Sequence, residues 1–240
     1  MKQRDAAKTK GVMVWSDLWP ARGQTHSRGW SEQLPPGLIV LVDETGEEAV
    51  HWLEMLTGHA QPGQGNVQCN GLCSQVDHAA YQAQTYWHHP PGSVPAPEMT
   101  GQQWLQRVME RWPSWNHDAW SRHCHGFELS AHLSKPLWHL STGSLRKLGI
   151  AAALASEATL TVIEEPVAGL DAQSIQYLGK ALNDLGDAMA ASATGPRWVI
   201  VAHWEPLPGV TWDEVLAPPS LTSSQALSAE SVPLQHSPAP

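Results

Sequence analysis

The chain is 240 residues long with a mass of 26.2 kDa, enough for one sizeable core or for one domain carrying an insertion. It is 42% hydrophobic and only 15% charged, which excludes a long disordered protein. Lys and Arg number 14 against 23 Asp and Glu, a net charge of −9, so the basic surplus that dominates nucleic-acid affinity is missing and no nucleic-acid partner is expected.

Cys69, Cys73 and Cys124 make no even disulfide framework, and no apolar export segment follows Met1, which points to a reducing cytosol. No apolar run approaches the roughly 18–20 residues of a spanning helix, so direct membrane insertion is not expected. The 13 Trp against 3 Tyr and 1 Phe are read mainly as core filling.

In chain order, residues 1–10 are polar and read as a disordered tail. Pro35-Pro36-Gly37 turns into Leu38-Ile39-Val40-Leu41-Val42, whose length and composition suit a buried parallel strand. Val50, Leu53 and Leu56 then recur at three-residue steps and Gly58 stands at a C-cap position, predicting a helix over Glu47–Thr57. Gly65–Cys69 with the turn pair Asn70-Gly71 reads as a small antiparallel excursion, followed by a Pro/Gly-rich loop over Pro90–Pro97.

Thr100–Leu140 has helical spacing at Trp104, Val108 and Trp112, broken by Pro113 and Pro136, and is expected to be an inserted helical subdomain over about 98–140. A helix over Ser144–Ala155, a strand Leu160–Ile163, a helix after Asp171 and a strand Trp198–Ala202 restore an alternating rhythm. In the helix after Asp171, Ile175, Leu178, Leu182 and Leu185 mark a buried stripe and Gly186 the stop. The whole predicts an α/β fold with a mostly parallel sheet over residues 11–216, and a second disordered tail over 217–240.

Four segments stand in a telling order: Leu140-Ser141-Thr142-Gly143-Ser144, Leu160–Ile163 running into Glu164-Glu165-Pro166, Ala168-Gly169-Leu170-Asp171, and Val201-Ala202-His203. Together they resemble the signature loop, Walker B strand, D-loop and switch histidine of the ATP-binding cassette (ABC) ATPases. The resemblance implies a P-loop NTPase fold, with Glu165 and His203 as catalytic residues and Ser141, Thr142, Gly143 and Asp171 as nucleotide-binding ones. It also implies ATP and Mg²⁺ as cofactors, with Glu164 in place of the usual metal-binding aspartate. Residue chemistry agrees: the free N–H groups ahead of a helix can hold a phosphate, and a carboxylate and an imidazole can position water and γ-phosphate.

The phosphate loop departs from the family pattern G-x-x-G-x-G-K-[ST]-[ST]. Between Val42 and Trp52 the chain reads Asp43-Glu44-Thr45-Gly46-Glu47-Glu48-Ala49-Val50-His51, keeping only Gly46. The lysine position holds Ala49, the Mg²⁺-binding hydroxyl position Val50 and the last glycine position Glu48. Carboxylates beside a triphosphate repel it, by roughly 1 kcal/mol per pair 4 Å apart in water and about 4 kcal/mol at an effective dielectric of 20. The expectation is a degenerate loop that does not hold Mg-ATP.

His89 stands near the family's Q-loop glutamine, and Trp19 is weighed as an adenine-stacking aromatic against a core residue, with the core reading favoured. Since family members pair head to tail, the resemblance implies an ATP-binding subunit of an ABC transporter that completes the ATP site of an intact homologous ATPase in a heterodimer. It would sit on a membrane permease through the Pro90–Gly101 loop and the helical block, peripheral on the cytoplasmic face. Thr100–Leu105 looks similar to exporter-type members. The alternative is a non-nucleotide scaffold or regulatory pseudo-ATPase. His88-His89, His123-Cys124-His125 and Cys69 with Cys73 carry metal-ligand types, but adjacent and alternate positions rarely converge on one ion; His123 and His125 are expected on a solvated face.

Overall fold

The computed structural model describes residues 11–21, 29–44, 48–88, 98–191 and 195–221. Its centre is a five-stranded parallel sheet in the order β6-β7-β8-β3-β9, built from β3 (Gly37–Val42), β6 (Thr85–His88), β7 (Leu160–Glu164), β8 (Trp198–His203) and β9 (Glu214–Leu216). β3 and β8 are almost wholly buried because both faces of the sheet are covered, which is why their sequences are continuous apolar runs without alternation. Register is in step, with Leu38 opposite Val199 and Val42 opposite His203.

Successive residues of these strands face two separate cores. Leu38, Ile163, Val199 and Val201 join one core with α5 (Thr142–Ala155), α6 (Ala172–Ala191), α3 (Gly101–Arg111) and α4 (His117–Gly126). Ile39, Leu41, Val162, Ile200 and Ala202 join the other with α1 (Ala49–Leu56) and a four-stranded antiparallel sheet. That second sheet runs β2-β1-β4-β5, from β2 (Trp30–Leu34), β1 (Met13–Pro20), β4 (Pro62–Cys69) and β5 (Leu72–Cys73). The turn expected at Asn70-Gly71 joins β4 to β5, both residues having positive φ, 50° and 83°. A short helix α2 (His78–Ala83) leads into β6.

Four indoles fill the space between the antiparallel sheet and α1. Trp15 meets Trp30, Trp30 meets Trp52 and Trp52 meets Trp19, edge to face, with centroids 4.7, 5.1 and 5.6 Å apart. Trp19 is thus a core residue, 6% exposed.

Several expectations are corrected. α1 starts at Ala49 and ends as expected: Gly58 has φ +75° and its N–H bonds to the Met55 carbonyl while the His59 N–H reaches Glu54, a Schellman closure that only a residue tolerant of positive φ completes cheaply. Gly186 does not stop α6, which continues to Ala191; one glycine in a helix costs only about 1 kcal/mol, and Met189 beyond it packs partly against the core. Ile175 is exposed, and the buried face of α6 is Ser174, Leu178, Ala181 and Leu182. α5 begins at Thr142, two residues early, because Ser141 caps it. Strands β1, β2, β6 and β9 are additions to the sequence reading. The expected tail from 217 is placed as far as Leu221, where Ser220 and Leu221 hydrogen-bond the Glu48 carboxylate. The segments 1–10 and 222–240, most of the Pro90–Gly101 loop, His89 and Gly46 lie outside the described residues.

Candidate functional site

The carboxyl ends of β7, β8 and β3, where open α/β sheets bind ligands, carry Glu164, Glu165, His203 and Asp43. Strand-like bonds continue past the strand ends: the Glu165 N–H donates to the Ala202 carbonyl (2.9 Å) and the Asp43 N–H to the His203 carbonyl (3.0 Å). Glu165 has φ +45°, a left-handed conformation rare for a side chain of its size. Its Oε2 lies 3.3 Å from Nδ1 of the buried His203, close but not aligned as a hydrogen bond. Glu164 is half-buried with Oε2 unpartnered; burial, then the charges of Glu165 and Glu54, raise its pKa against the pull of Arg146.

At the start of α1, Asp43 is buried and its Oδ2 accepts both the Glu48 N–H (2.8 Å) and the Ala49 N–H (2.7 Å). These are the first free N–H groups of the helix, the kind that would otherwise face an anion. The Glu48 carboxylate turns away and accepts from Ser220 Oγ (3.1 Å) and the Leu221 N–H (2.7 Å). Glu44 is exposed, and Val50 is partly buried. The crowd of carboxylates expected from sequence is therefore not uniform: two of them are spent inside the protein.

On the other face of the sheet, the start of α5 gathers Ser141, Thr142, Gly143 and Asp171. Ser141 Oγ accepts the Ser144 N–H at 3.1 Å, an N-cap. A Cβ on Gly143 would stand 2.3 Å from the Gly169 carbonyl oxygen, so glycine is required there by the approach of the 165–171 loop. Asp171 accepts from the Ser174 N–H (2.8 Å), Ser174 Oγ and Lys147 Nζ (3.1 Å). The Ser174 N–H first, then the Ser174 hydroxyl and Lys147, hold its carboxyl down to about 2.

Two residues absent from the sequence reading tie this end together. Buried Arg146 donates through one guanidinium nitrogen to the carbonyls of Glu165 and Ala168, both at 2.8 Å, and Lys147 bridges Asp171 and Ser174. Adjacent Arg146 and Lys147 at the head of a helix that continues as Leu, Gly, Ile and Ala were the signal available, since a guanidinium is buried only where it is paired. Because α1 and α5 pack in different cores, the α1 start and the α5 start lie on opposite sides of the sheet.

His123 is buried, not solvated as expected, and exchanges a 2.9 Å hydrogen bond with the Tyr177 hydroxyl; His125 is exposed. Among the described residues no group of three or more His, Cys, Asp and Glu is placed to hold a metal ion. No described helix is long and apolar enough to cross a membrane.

No family model and no curated protein matches the chain. Solved structures do match in three dimensions. A Pyrococcus furiosus protein described as an ABC transporter ATP-binding protein superposes with a TM-score of 0.68 at 17% identity, over 86% of this chain and 97% of that one. An ATP-binding subunit of an ABC transporter superposes at 0.61 with 19% identity, over 80% of this chain and 78% of that one. A bacterial Atm1-family ABC exporter with ATP bound gives 0.64 at 13% identity, over 88% of this chain and 37% of the exporter. The parallel sheet, the separate antiparallel sheet and the flanking helices form the ABC-ATPase variant of the P-loop NTPase fold.

Proposed function

We propose that this chain is an atypical ATP-binding subunit of an ABC transporter whose own phosphate loop is silent and whose α5 end completes the ATP site of an intact partner ATPase. The observation that carries the reading is the Asp43 carboxylate on the first N–H groups of α1, a negative charge where a phosphate would have to sit. Mg-ATP does not fit this end: Ala49 and Val50 offer neither a cation nor a hydroxyl to the phosphates and the metal. The partner-facing group would be Ser141, Thr142 and Gly143 with Asp171, held by Arg146 and Lys147. Glu165 and His203 are retained at the silent end, where they would order the strand ends without a nucleotide to act on. The packing of α1 and α5 in different cores, on opposite faces of the sheet, supports a reading in which a second chain supplies the phosphate loop.

In this reading the chain works at the cytoplasmic face of a membrane on a permease subunit, which would carry the specificity for cargo. A second reading, a non-nucleotide scaffold or regulator, is favoured by one observation: Ser141, Gly143 and Asp171 each already have a structural task in the fold.

The test begins with a tagged pull-down from native cells in mild detergent. Recovery of a polytopic membrane protein and an ATPase with an intact phosphate loop supports the transporter reading, and a chain recovered alone sinks it. In the recovered complex, Ser141→Arg is expected to abolish ATP hydrolysis; unchanged hydrolysis would assign the scaffold role. Gly143→Asp is a poor probe, because any side chain there collides with Gly169. The isolated chain is expected to show no micromolar ATP binding by calorimetry.

A further inference from the structure

A partly enclosed cavity of about 340 Å³ lies between α4 and α6, away from both ends of the candidate site. Its apolar lining includes Ala119, Leu154, Ala181, Leu185 and Ala188. Its polar lining sets Arg122, Arg197 and Lys180 against Glu157 and Asp184, and none of the ion pairs among the described residues includes Arg122 or Arg197. The carboxylates nearby are already engaged, Asp184 by Lys180 and Glu157 by the Asn116 amide at 2.7 Å.

Arg197 is the informative group. It immediately precedes β8, gives one N–H to the Leu154 carbonyl at 3.3 Å, and leaves its buried Nε with no acceptor. Burial pulls this guanidinium down to about 10, with Glu157 only partly offsetting it. The same field reaches His123, whose ring is lowered to about 4 by burial first and then by the charges of Arg122 and Arg197. His123 is therefore neutral at physiological pH, and its bond to Tyr177, whose hydroxyl donates to the Arg122 carbonyl, fixes the cavity wall. A half-buried cation with a buried N–H left unbonded costs free energy in any fold, and three cations against two carboxylates give the cavity a net positive charge in a chain of net charge −9.

We propose that this cavity binds a small organic anion, its phosphate or carboxylate head held by Arg122 and Arg197 and its apolar part resting on Ala119, Leu154 and Ala181. An oxyanion supplies charge-assisted acceptors to two guanidinium groups that make no ion pair among the described residues. The proposal is independent of nucleotide binding at either end of the sheet.

The experiment is calorimetry and thermal denaturation of the full chain with inorganic phosphate and, separately, succinate at millimolar concentration, against sodium chloride of equal ionic strength. The expected result is saturable binding of at least one probe with a rise in Tm beyond the chloride control, weakened at least about tenfold in Arg122→Ala and Arg197→Gln and unchanged in Arg107→Ala. The arm that saturates identifies the head group as phosphate or carboxylate. Arg122 is exposed, so Arg122→Ala carries the comparison if Arg197→Gln fails to fold. Absence of saturation by both probes, or binding insensitive to Arg122→Ala, overturns the proposal.

Discussion

At the start of α1, one oxygen of Asp43 takes up two backbone donors that no other described group accepts. Replacing Asp43 with Ala strips both bonds from a buried position, and Asp43→Ala is expected to destabilise the fold by about 1–2 kcal/mol, read as a lower urea midpoint at unchanged slope. The substitution should not create ATP binding, since Ala49 still stands where a lysine is needed. Arg146 works on the same scale: two carbonyl acceptors fix the segment that carries Glu165 into its left-handed conformation. The partners of neither residue were legible in the sequence. Asp43 reads there as one of four crowding carboxylates, because its partners are backbone N–H groups that only the course of the loop brings within reach. Ser141 and Asp171 were legible as residues, since the cap positions they occupy favour Ser and Asp, but their neighbours Ser174 and Lys147 were not.

Among the elements, β3, β7, β8 and α5 are plain from composition, because buried parallel strands need unbroken β-branched and Leu runs and α5 is a near-continuous apolar helix. β1 and β2 were hidden by Ser, Asp and Glu at exposed and bulged positions, which leave the buried Met13, Leu18 and Leu34 and the indoles without a regular alternation. β6 has just four residues, and β9 three, exposed but for Leu216; such short edges have no period to detect. α6 was cut short at Gly186 because a glycine after a periodic stripe usually ends a helix. A Cβ placed on Gly186 meets only Leu38 Cδ2, at an ordinary 3.9 Å. Gly186→Ala is therefore expected to stabilise the protein by about 0.5–1 kcal/mol, by removing backbone freedom from the unfolded chain, and to raise the urea midpoint.

At the scale of the whole molecule, one sheet separates two cores and two functional ends, and the chain returns across the first of these near its described end. Ser220 and Leu221 reach back to Glu48, and Leu221 packs against the core shared by α1 and the antiparallel sheet. Ending the chain after Pro219 removes both donors from the Glu48 carboxylate. At roughly 1 kcal/mol per lost bond and about 2–4 °C per kcal/mol for a protein of this size, a drop of several degrees in Tm is expected by scanning fluorimetry. A Tm equal to that of the intact chain would show that the return segment contributes nothing. The indoles of that same core have an optical consequence. Four of the 13 indoles are held edge to face at 4.7–5.6 Å, close enough for their transition dipoles to couple, so this layer is expected to contribute strongly to the indole dichroism. Loosening of the antiparallel sheet would thus register as a loss of chirality in the indole band while the peptide signal of α5 and α6 stayed intact.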